Sequence, residues 1–176
     1  MYDSEELAFH EKHGSKFNTL RNYITRYAKP SVSFEMEAYL SGLVQAYGLE
    51  IAIRAQRCAK PKSFGTLYWQ LNDAWPSISW SSIDYYGRWK PLQYLAKRYF
   101  KDIILFFHPS SSKFIAINDK LVPIKAKYTI KVIRFDGVVV HEDNGFLSLK
   151  PNDRREIGAL DTAFYTGKEN STVVYT

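Results

Sequence analysis

The sequence predicts two kinds of structure in succession: an α/β segment over residues 1–102, then an all-β, immunoglobulin-like sandwich over residues 103–176 that need not be complete. In the first hundred positions apolar residues recur at the spacing of amphipathic helices, around one short aromatic run. After Asp102 the apolar runs are short, and turn residues interrupt them roughly every eight to twelve positions. The change of pattern near residue 102 indicates a domain boundary.

Three helices are predicted from apolar spacing and from end signals. Apolar residues at positions 17, 20, 24 and 27 form the first, which stops before Pro30. The second begins after Ser33, a predicted N-cap, and ends at Pro61. Its predicted inward side consists of Met36, Leu40, Leu43, Tyr47, Ile51, Ala55 and Cys58. Pro91 is predicted to open the third helix, whose inward residues are Leu92, Leu95, Ala96 and Tyr99.

Between these helices the run TLYWQL, residues 66–71, is short, aromatic and uncharged. Such a run is typical of a strand that is buried on both faces of a parallel sheet. A helix, a strand, a loop and a helix make one unit of an α/β fold. In barrels of that class, the loops that follow the strands build the active site.

The loop after this strand holds an unusual concentration of aromatic residues. All four tryptophans lie at positions 69, 75, 80 and 89, among amides, serines and two aspartates. Exposed aromatic faces stack on the C–H faces of sugars, while amides and carboxylates bind hydroxyl groups. The predicted substrate-binding residues are therefore Trp69, Asn72, Asp73 and Trp75. For each tryptophan singly, core packing is an equally good interpretation, and we expect Trp80 and Trp89 to be core residues.

Both aspartates of this loop, Asp73 and Asp84, also have structural interpretations. A carboxylate that accepts backbone N–H groups within a loop explains Asp73 at least as well as sugar binding does. Asp84 is interpreted as structural.

The all-β part is predicted from apolar runs at IILFF, KFIAI, KYTIKVIRF, VVVHE, FLSLK and VVYT. Asp136-Gly137 between two of these runs indicates a hairpin. In the strand before it, Tyr128, Ile130 and Val132 alternate with polar residues, so one face is predicted to be buried and the other solvated.

Composition and charge exclude several classes of function. The net charge of +6 and the pI near 9.3 come from basic residues at predicted helix ends or alternating along a strand, so no nucleic-acid partner is predicted. No apolar run is long enough for a membrane span, and the N-terminus lacks the features of a signal peptide, which leaves the compartment unassigned. The single Cys58 cannot form an intrachain disulfide and is expected to be a buried thiol.

No metal site is predicted. His10 and His13 have H-x-x-H spacing, but no nearby residue completes a zinc site, and a loop role is the preferred interpretation. His108 and His141 lie on predicted sandwich strands and indicate no function.

The stretch GTLYWQLNDAWPSISWSSIDYYGRWKPLQYLAKRYF, residues 65–100, closely resembles the β-mannosidases of glycoside hydrolase family 2. In that family a run of the form LYWQLND-x-WP-x-x-SWSSIDYYGRWK closes the catalytic barrel. The resemblance extends back through FHEKHGSKFNTLRNYI and EAYLSGLVQAYGLEIAIRAQR, which are similar to the preceding barrel segment. It implies that this chain holds the end of a (β/α)₈ TIM barrel followed by the sandwich domain.

The resemblance also implies an activity, retaining exo-hydrolysis of terminal non-reducing β-D-mannose in oligosaccharides or glycoconjugates. The mechanism uses two glutamates whose carboxyl groups lie about 5 to 5.5 Å apart, and it requires no cofactor. In the family one glutamate follows asparagine and the other lies in a Ser-Glu-Phe-Gly-like context, and none of the nine glutamates here does either. We therefore expect a C-terminal fragment that is inactive alone and whose partner is the missing N-terminal part of the enzyme.

Among the predicted site residues, Trp69 matches the family's tryptophan at the end of strand eight, which forms an apolar platform under the sugar. Asn72, Asp73 and Trp75 belong to the same motif and either line or brace the pocket.

Two alternatives to the hydrolase function stay open. One is a self-sufficient, non-catalytic carbohydrate-binding or accessory sandwich, which the absence of tryptophan from residues 103–176 disfavours. The other is a scaffold that only supports the barrel and that self-associates when alone.

Overall fold

The computed structural model describes residues 4–11, 18–30, 33–108, 110–161 and 171–175, with the backbone alone at 171–174. The chain is a mixture of helices and antiparallel sheets that forms two compact units. The first contains Met1–Ile53 and Thr66–Phe100, and the second contains Arg54–Gly65 and Lys101–Thr176. The aromatic loop thus lies in the first unit and the sheets lie in the second.

The described helices are α1 (Glu5–His10), α2 (Asn18–Ile24), α3 (Phe34–Cys58) and α4 (Pro91–Tyr99). Their ends follow the predicted signals. Ser33 caps α3, because its Oγ accepts a hydrogen bond from the Met36 N–H at 3.2 Å. Pro91 occupies the first turn of α4, where its missing N–H costs no hydrogen bond. The predicted inward side of α4 is confirmed, with Leu95 half-buried and Leu92, Ala96 and Tyr99 buried.

The predicted inward side of α3 is wrong over most of its length. Met36, Leu43, Tyr47 and Ile51 are exposed, while the side that carries Gly42, Ala46 and Ile53 is covered. A Cβ atom at Gly42 would lie only 3.0 Å from the Pro91 side chain. Small residues on this side of α3 therefore let α4 approach closely, which the larger apolar side chains would prevent. Only Cys58, at the end of the predicted side, is buried as expected.

The run 66–71 forms no strand in this structure, and the predicted burial of both its faces is not observed. Leu67 is 97% exposed, Trp69 75% and Leu71 56%. Among the residues that the structure describes, no strand lies beside this run to form a ladder. A strand is buried in a parallel sheet only when neighbouring strands and helices cover it, and the described residues contribute none. The side chains instead alternate, with Tyr68 and Gln70 half-buried on the opposite side.

The second unit contains two three-stranded sheets, and every pairing in them is antiparallel. The strands are β1 (Ile103–His108), β2 (Lys113–Asn118), β3 (Ile124–Arg134), β4 (Val139–Leu149), β5 (Asp153–Ala159) and β6 (Ser171–Tyr175). The first sheet has the order β1-β2-β5 and the second has the order β4-β3-β6.

Both sheets contribute to one apolar core. Phe107 and Phe114 from the first sheet pack with Ile130 and Val132 from the second, and Leu160 completes the buried cluster. The predicted alternation along β3 is confirmed, since Ile130 and Val132 are buried while the intervening Lys131 is partly exposed. A shared core between two antiparallel sheets is the arrangement of a β-sandwich.

The hairpin predicted at Asp136-Gly137 joins β3 to β4. Gly137 has φ +89°, a left-handed conformation that glycine adopts readily. Asp136 accepts a hydrogen bond from the Val138 N–H at 3.1 Å. The sequence pattern did not predict β5, whose residues DRREIGA are mostly charged or small. As the edge strand of its sheet, β5 needs no apolar run.

Candidate functional site

Trp69 presents a broad aromatic surface to solvent, with 75% of its area exposed. The residues on either side of it point the other way and are held there. The Tyr68 hydroxyl lies 3.0 Å from Ser82 Oγ and donates to Gln93 Oε1 at 3.2 Å. The Tyr68 ring also packs against Phe100, with ring centroids 6.1 Å apart. The backbone that carries Trp69 is therefore fixed from behind while the indole stays accessible.

Ser82 is fully buried and makes most of the hydrogen bonds that hold the run 66–71 in place. Its backbone N–H donates to the carbonyls of Gln70 and Leu71, at 3.0 and 3.1 Å. Its Oγ lies 2.9 Å from the Leu71 carbonyl oxygen and 2.7 Å from Gln93 Oε1. One small polar residue thus joins the extended run 66–71 to helix α4.

Asp73 lies at the centre of a second polar cluster and is only 5% exposed. Its Oδ1 accepts hydrogen bonds from the hydroxyls of Ser79 and, at 3.3 Å, Ser77. Its Oδ2 accepts from Ser81 Oγ at 2.5 Å and from Lys90 Nζ at 3.2 Å. We call Asp73, Ser77, Ser79, Ser81 and Lys90 the Asp73 cluster. These donors are all side chains, whereas the loop interpretation of Asp73 expected backbone N–H groups.

The environment of Asp73 keeps its carboxyl ionised. Burial opposes ionisation, but hydrogen bonds from Ser79, Ser81 and Lys90, together with the Lys90 charge, outweigh it. They hold the pKa of Asp73 below its ordinary value of 3.8. A carboxylate with a lowered pKa and occupied oxygens is poorly suited to donate a proton to a leaving group.

Asn72 is exposed, so its amide can reach a ligand. Its backbone is held by a parallel bridge to Ile83 and by the Gln70 side chain, which donates to the Asn72 carbonyl at 3.1 Å. The side-chain Nδ2 lies 3.4 Å from the Asp73 carbonyl oxygen, a distance that permits only a weak hydrogen bond. An anchored backbone with an exposed amide is an arrangement that can bind a sugar hydroxyl.

Trp75 is half-buried and packs against the end of α1. Its ring stacks on His10, with centroids 5.4 Å apart and planes 23° apart, and Phe9 meets it edge-on at 6.1 Å. His10 Nδ1 donates to the Pro76 carbonyl at 2.5 Å. The Ile78 N–H donates to the His10 carbonyl at 3.1 Å. His10 is the last residue of α1, so its predicted placement in a loop is wrong, and its side chain instead contacts the loop at Trp75 and Pro76. His13 lies outside the described residues.

The prediction that Trp80 and Trp89 are core residues is wrong, because they are 51% and 41% exposed. Beside Trp80, the buried positions belong to Ser81 and Ser82, whose hydroxyls point inward, so the indole faces outward. Trp89 lies over the outer side of α4, edge-on to Tyr94 at 5.1 Å and 5.7 Å below Lys97 Nζ. The Ser-Ser pair directly after Trp80 was a sequence signal for the exposure of Trp80, because small residues can occupy the buried positions that the indole leaves free.

Asp84, interpreted as structural from the sequence, closes a tight turn. Its Oδ1 accepts from the backbone N–H groups of Tyr86 and Arg88 at 2.9 Å, and its Oδ2 accepts from Arg88 Nε at 2.6 Å. Gly87 within the turn has φ +79°. This turn reverses the chain between Ser81 and Lys90, two members of the Asp73 cluster.

The geometry of this loop suits binding rather than bond cleavage, since it combines an exposed aromatic platform with an exposed amide. Among the described residues, no three His, Cys, Asp or Glu side chains come together as a metal site. Within the same residues, no helix combines the length and apolar character that crossing a membrane requires.

Sequence comparison relates the chain to β-mannosidases. It is 32% identical over 105 residues to β-mannosidase B of Emericella nidulans, covering 58% of this chain and 12% of that protein. It is 37% identical over 82 residues to β-mannosidase of Mus musculus, covering 43% of this chain and 9% of that protein. No protein-family model matches the chain.

Structural comparison extends this similarity to almost the whole chain. The β-D-mannosidase of Dictyoglomus thermophilum superposes with a TM-score of 0.90 at 28% identity, over 99% of this chain and 22% of that one. The chain resembles a segment of a β-mannosidase. The resemblance stated from residues 65–100 is thereby confirmed, and the relatives are glycoside hydrolases.

An exo-chitosanase of Amycolatopsis orientalis shares the fold, with a TM-score of 0.74 at 16% identity over 88% of this chain. The chain spans about an eighth of the length of the β-mannosidase B it matches. The comparisons therefore concern one part of a much longer enzyme.

Proposed function

We propose that this chain is part of a retaining exo-β-mannosidase that removes terminal non-reducing β-D-mannose, and that it supplies the sugar platform of the active site. The observation that carries the proposal is Trp69, exposed at 75% on a backbone that Tyr68 and Ser82 anchor from behind. Stacking on the apolar C–H face of a sugar requires such a surface, held flat and accessible. Its position in a motif that β-mannosidases share supports mannose as the sugar.

In the proposed site, Asn72 binds a sugar hydroxyl beside the platform and Trp75 forms part of the wall. Retaining hydrolysis needs one carboxylic acid to protonate the leaving oxygen and one carboxylate to attack the anomeric carbon. No glutamate of this chain has the sequence context of either group. We therefore assign both groups to a preceding part of the same enzyme and expect this chain alone to be inactive.

The run 66–71 is proposed as the last strand of a (β/α)₈ barrel, within a domain over residues 1–102, followed by an immunoglobulin-like domain over residues 103–176. Its exposed Leu67 and Leu71 support this, because neighbouring barrel strands and helices would cover them. The exposed side of α3, with Met36, Leu43 and Tyr47, would be covered in the same way.

Without those neighbours the chain should self-associate, since it exposes large apolar side chains on both α3 and the run 66–71. Light scattering after size-exclusion chromatography measures the mass in solution. A monomer of 20.4 kDa at all concentrations would contradict this expectation.

The activity is tested by hydrolysis of p-nitrophenyl β-D-mannoside. The chain alone is compared with an extended form that continues upstream through the rest of the proposed barrel. We expect hydrolysis only by the extended form. Hydrolysis by the short chain would contradict the assignment of the catalytic groups to another part of the enzyme, and cleavage of only another β-glycoside would contradict mannose.

A substitution tests the platform itself. In the extended form, Trp69→Ala should lower kcat/KM on the order of a hundredfold, because the sugar loses its stacking surface next to the reacting atoms. Trp89→Ala is the matched control, since this exposed tryptophan lies over α4, and it should leave kcat/KM nearly unchanged. Equal effects of the two substitutions would overturn the assignment of Trp69.

A further inference from the structure

We propose that Asp73 is a positioning residue, which fixes the orientation of the Trp69 platform through the buried hydroxyl of Ser81 and does not itself contact the sugar. This inference rests on the proposed function, because it needs Trp69 to be the platform. It assigns a role to the Asp73 cluster, whose central carboxylate and Ser81 are buried.

The first support is that the oxygens of Asp73 are already occupied. Four donors surround the carboxylate, three serine hydroxyls and the Lys90 ammonium group, and the residue is 5% exposed. A sugar hydroxyl would have to displace one of them and enter a closed space. The carboxylate therefore binds the loop and leaves the sugar to exposed groups such as Asn72.

The second support is the connection from Asp73 to the backbone of Trp69. Ser81 contacts Asp73 at 2.5 Å, and the next residue, Ser82, donates from its backbone N–H to the Gln70 carbonyl at 3.0 Å. Both serines are fully buried. A shift of Ser81 is therefore transmitted through Ser82 to the peptide group between Gln70 and Leu71, one residue beyond Trp69.

The third support is the charge of the cluster. Lys90 Nζ contacts both Asp73 Oδ2 and, at 2.7 Å, Ser81 Oγ, so one cation and one carboxylate share a single hydroxyl. Charge-assisted hydrogen bonds of this kind are stronger and more directional than neutral ones. An amide in place of the carboxylate would present N–H donors to groups that are themselves donors.

The test measures kcat/KM per folded molecule of the extended enzyme with p-nitrophenyl β-D-mannoside. The variants are Asp73→Asn, Ser81→Ala and, as a matched control outside the Asp73 cluster, Ser41→Ala, whose hydroxyl donates to the Ala38 carbonyl at 2.8 Å within α3. We expect Asp73→Asn and Ser81→Ala to lower kcat/KM on the order of tenfold and Ser41→Ala to change it less than twofold. Ser81→Ala removes only one hydroxyl, so it keeps the inference testable if Asp73→Asn does not fold.

A double-mutant cycle separates positioning from simple structural support. If Ser81 affects catalysis by orienting Trp69, then Ser81→Ala should lower kcat/KM only slightly when Trp69 has already been replaced by alanine. Equal losses of activity in both backgrounds would overturn the inference, as would wild-type kcat/KM in the folded Ser81→Ala and Asp73→Asn variants. If Trp69→Ala alone changes nothing, the proposed function fails first, which distinguishes the two outcomes.

Discussion

The two units each contain a carboxylate that is bonded to buried polar groups, and the two carboxylates differ in where their partners come from. Asp73 is bonded to serines four to eight residues away and to Lys90, all within one loop. Asp119 is bonded to Arg57 at 2.5 Å and to Lys60, about sixty residues earlier in the chain. The same chemistry therefore shapes a loop in the first unit and joins distant segments in the second.

The partners of Asp119 make further connections within the second unit. Arg57 also donates to the Lys101 carbonyl at 2.9 Å, and Lys60 donates to Asn152 Oδ1 at 2.7 Å. Arg57 and Lys60 are 5% and 8% exposed. Asp119 binds two nearly buried cations from a distant segment, which makes it a fold-holding residue. Asp73 binds one cation, Lys90, and three neutral hydroxyls from the same loop.

The largest expected effect is on stability. Asp119→Asn should lower the free energy of unfolding by about 2 to 4 kcal/mol, because it removes the carboxylate charge that both nearly buried cations, Arg57 and Lys60, bind. Urea denaturation followed by circular dichroism measures the change. Glu142→Gln, which breaks the exposed ion pair with Lys131, is the control and should have a much smaller effect.

Asp73→Asn should lower the free energy of unfolding by only about 1 to 2 kcal/mol, because the serine hydroxyls can turn toward other acceptors. The same urea experiment measures it. If the loss matches that of Asp119→Asn, the distinction between a loop-shaping and a fold-holding carboxylate disappears.

Acid should weaken the hydrogen bonds and ion pairs of both carboxylates, Asp73 and Asp119. Burial opposes ionisation of Asp119, but the Lys60 hydrogen bond and the Arg57 charge outweigh it, so the pKa of Asp119 is lowered, as is that of Asp73. A lowered folded-state pKa contributes stability that is fully present above the ordinary value of 3.8 and is lost as the pH falls through the folded-state pKa. Stability should therefore fall below about pH 4.

Urea midpoints measured between pH 6 and pH 3 check this expectation. Each Asn variant should show a shallower decline than the wild-type chain, since one ionisable group is gone. Parallel curves for the wild-type chain and both variants would show that neither carboxylate contributes.

The smallest expected effect is on the chemical reactivity of Cys58, which should respond to the loss of Asp119 and not to the loss of Asp73. Burial raises the pKa of its thiol to about 11, so the reactive thiolate is scarce at neutral pH. Its carbonyl accepts a hydrogen bond from Arg154 in the second unit, at 3.2 Å. Iodoacetamide should label Cys58 a few-fold faster in Asp119→Asn than in the wild-type chain, and at an unchanged rate in Asp73→Asn. Faster labelling in both variants would mean that the two clusters are not independent.

The parts of the fold that sequence predicted correctly depend on local chemistry. Ser33 caps α3 and Pro91 opens α4 whatever surrounds them, and Asp136-Gly137 turns the chain through its own conformational preferences. The wrong predictions concern burial, which depends on neighbours. The exposed side of α3, for example, carries the larger apolar residues, yet Gly42 on the other side sets the packing.

The candidate site shows the same division. The role of Trp69 as a sugar platform, which residue type and motif predict, stays a prediction. For Asp73, pocket lining, bracing and binding of backbone N–H groups were all left open. What the sequence did not indicate was the cluster itself, although serines at positions 77, 79 and 81 alternate as they would on one side of an extended segment. The exposure of Trp80 follows from that alternation.

The anchoring of Trp69 has a consequence for how this chain folds. Tyr68 is tied to Ser82 and Gln93, which lie 14 and 25 residues further along the chain. Loops this short close at a modest entropic cost, and contacts of low sequence separation tend to form early. The backbone around Trp69 can thus take its final shape while distant parts of the polypeptide are still unstructured.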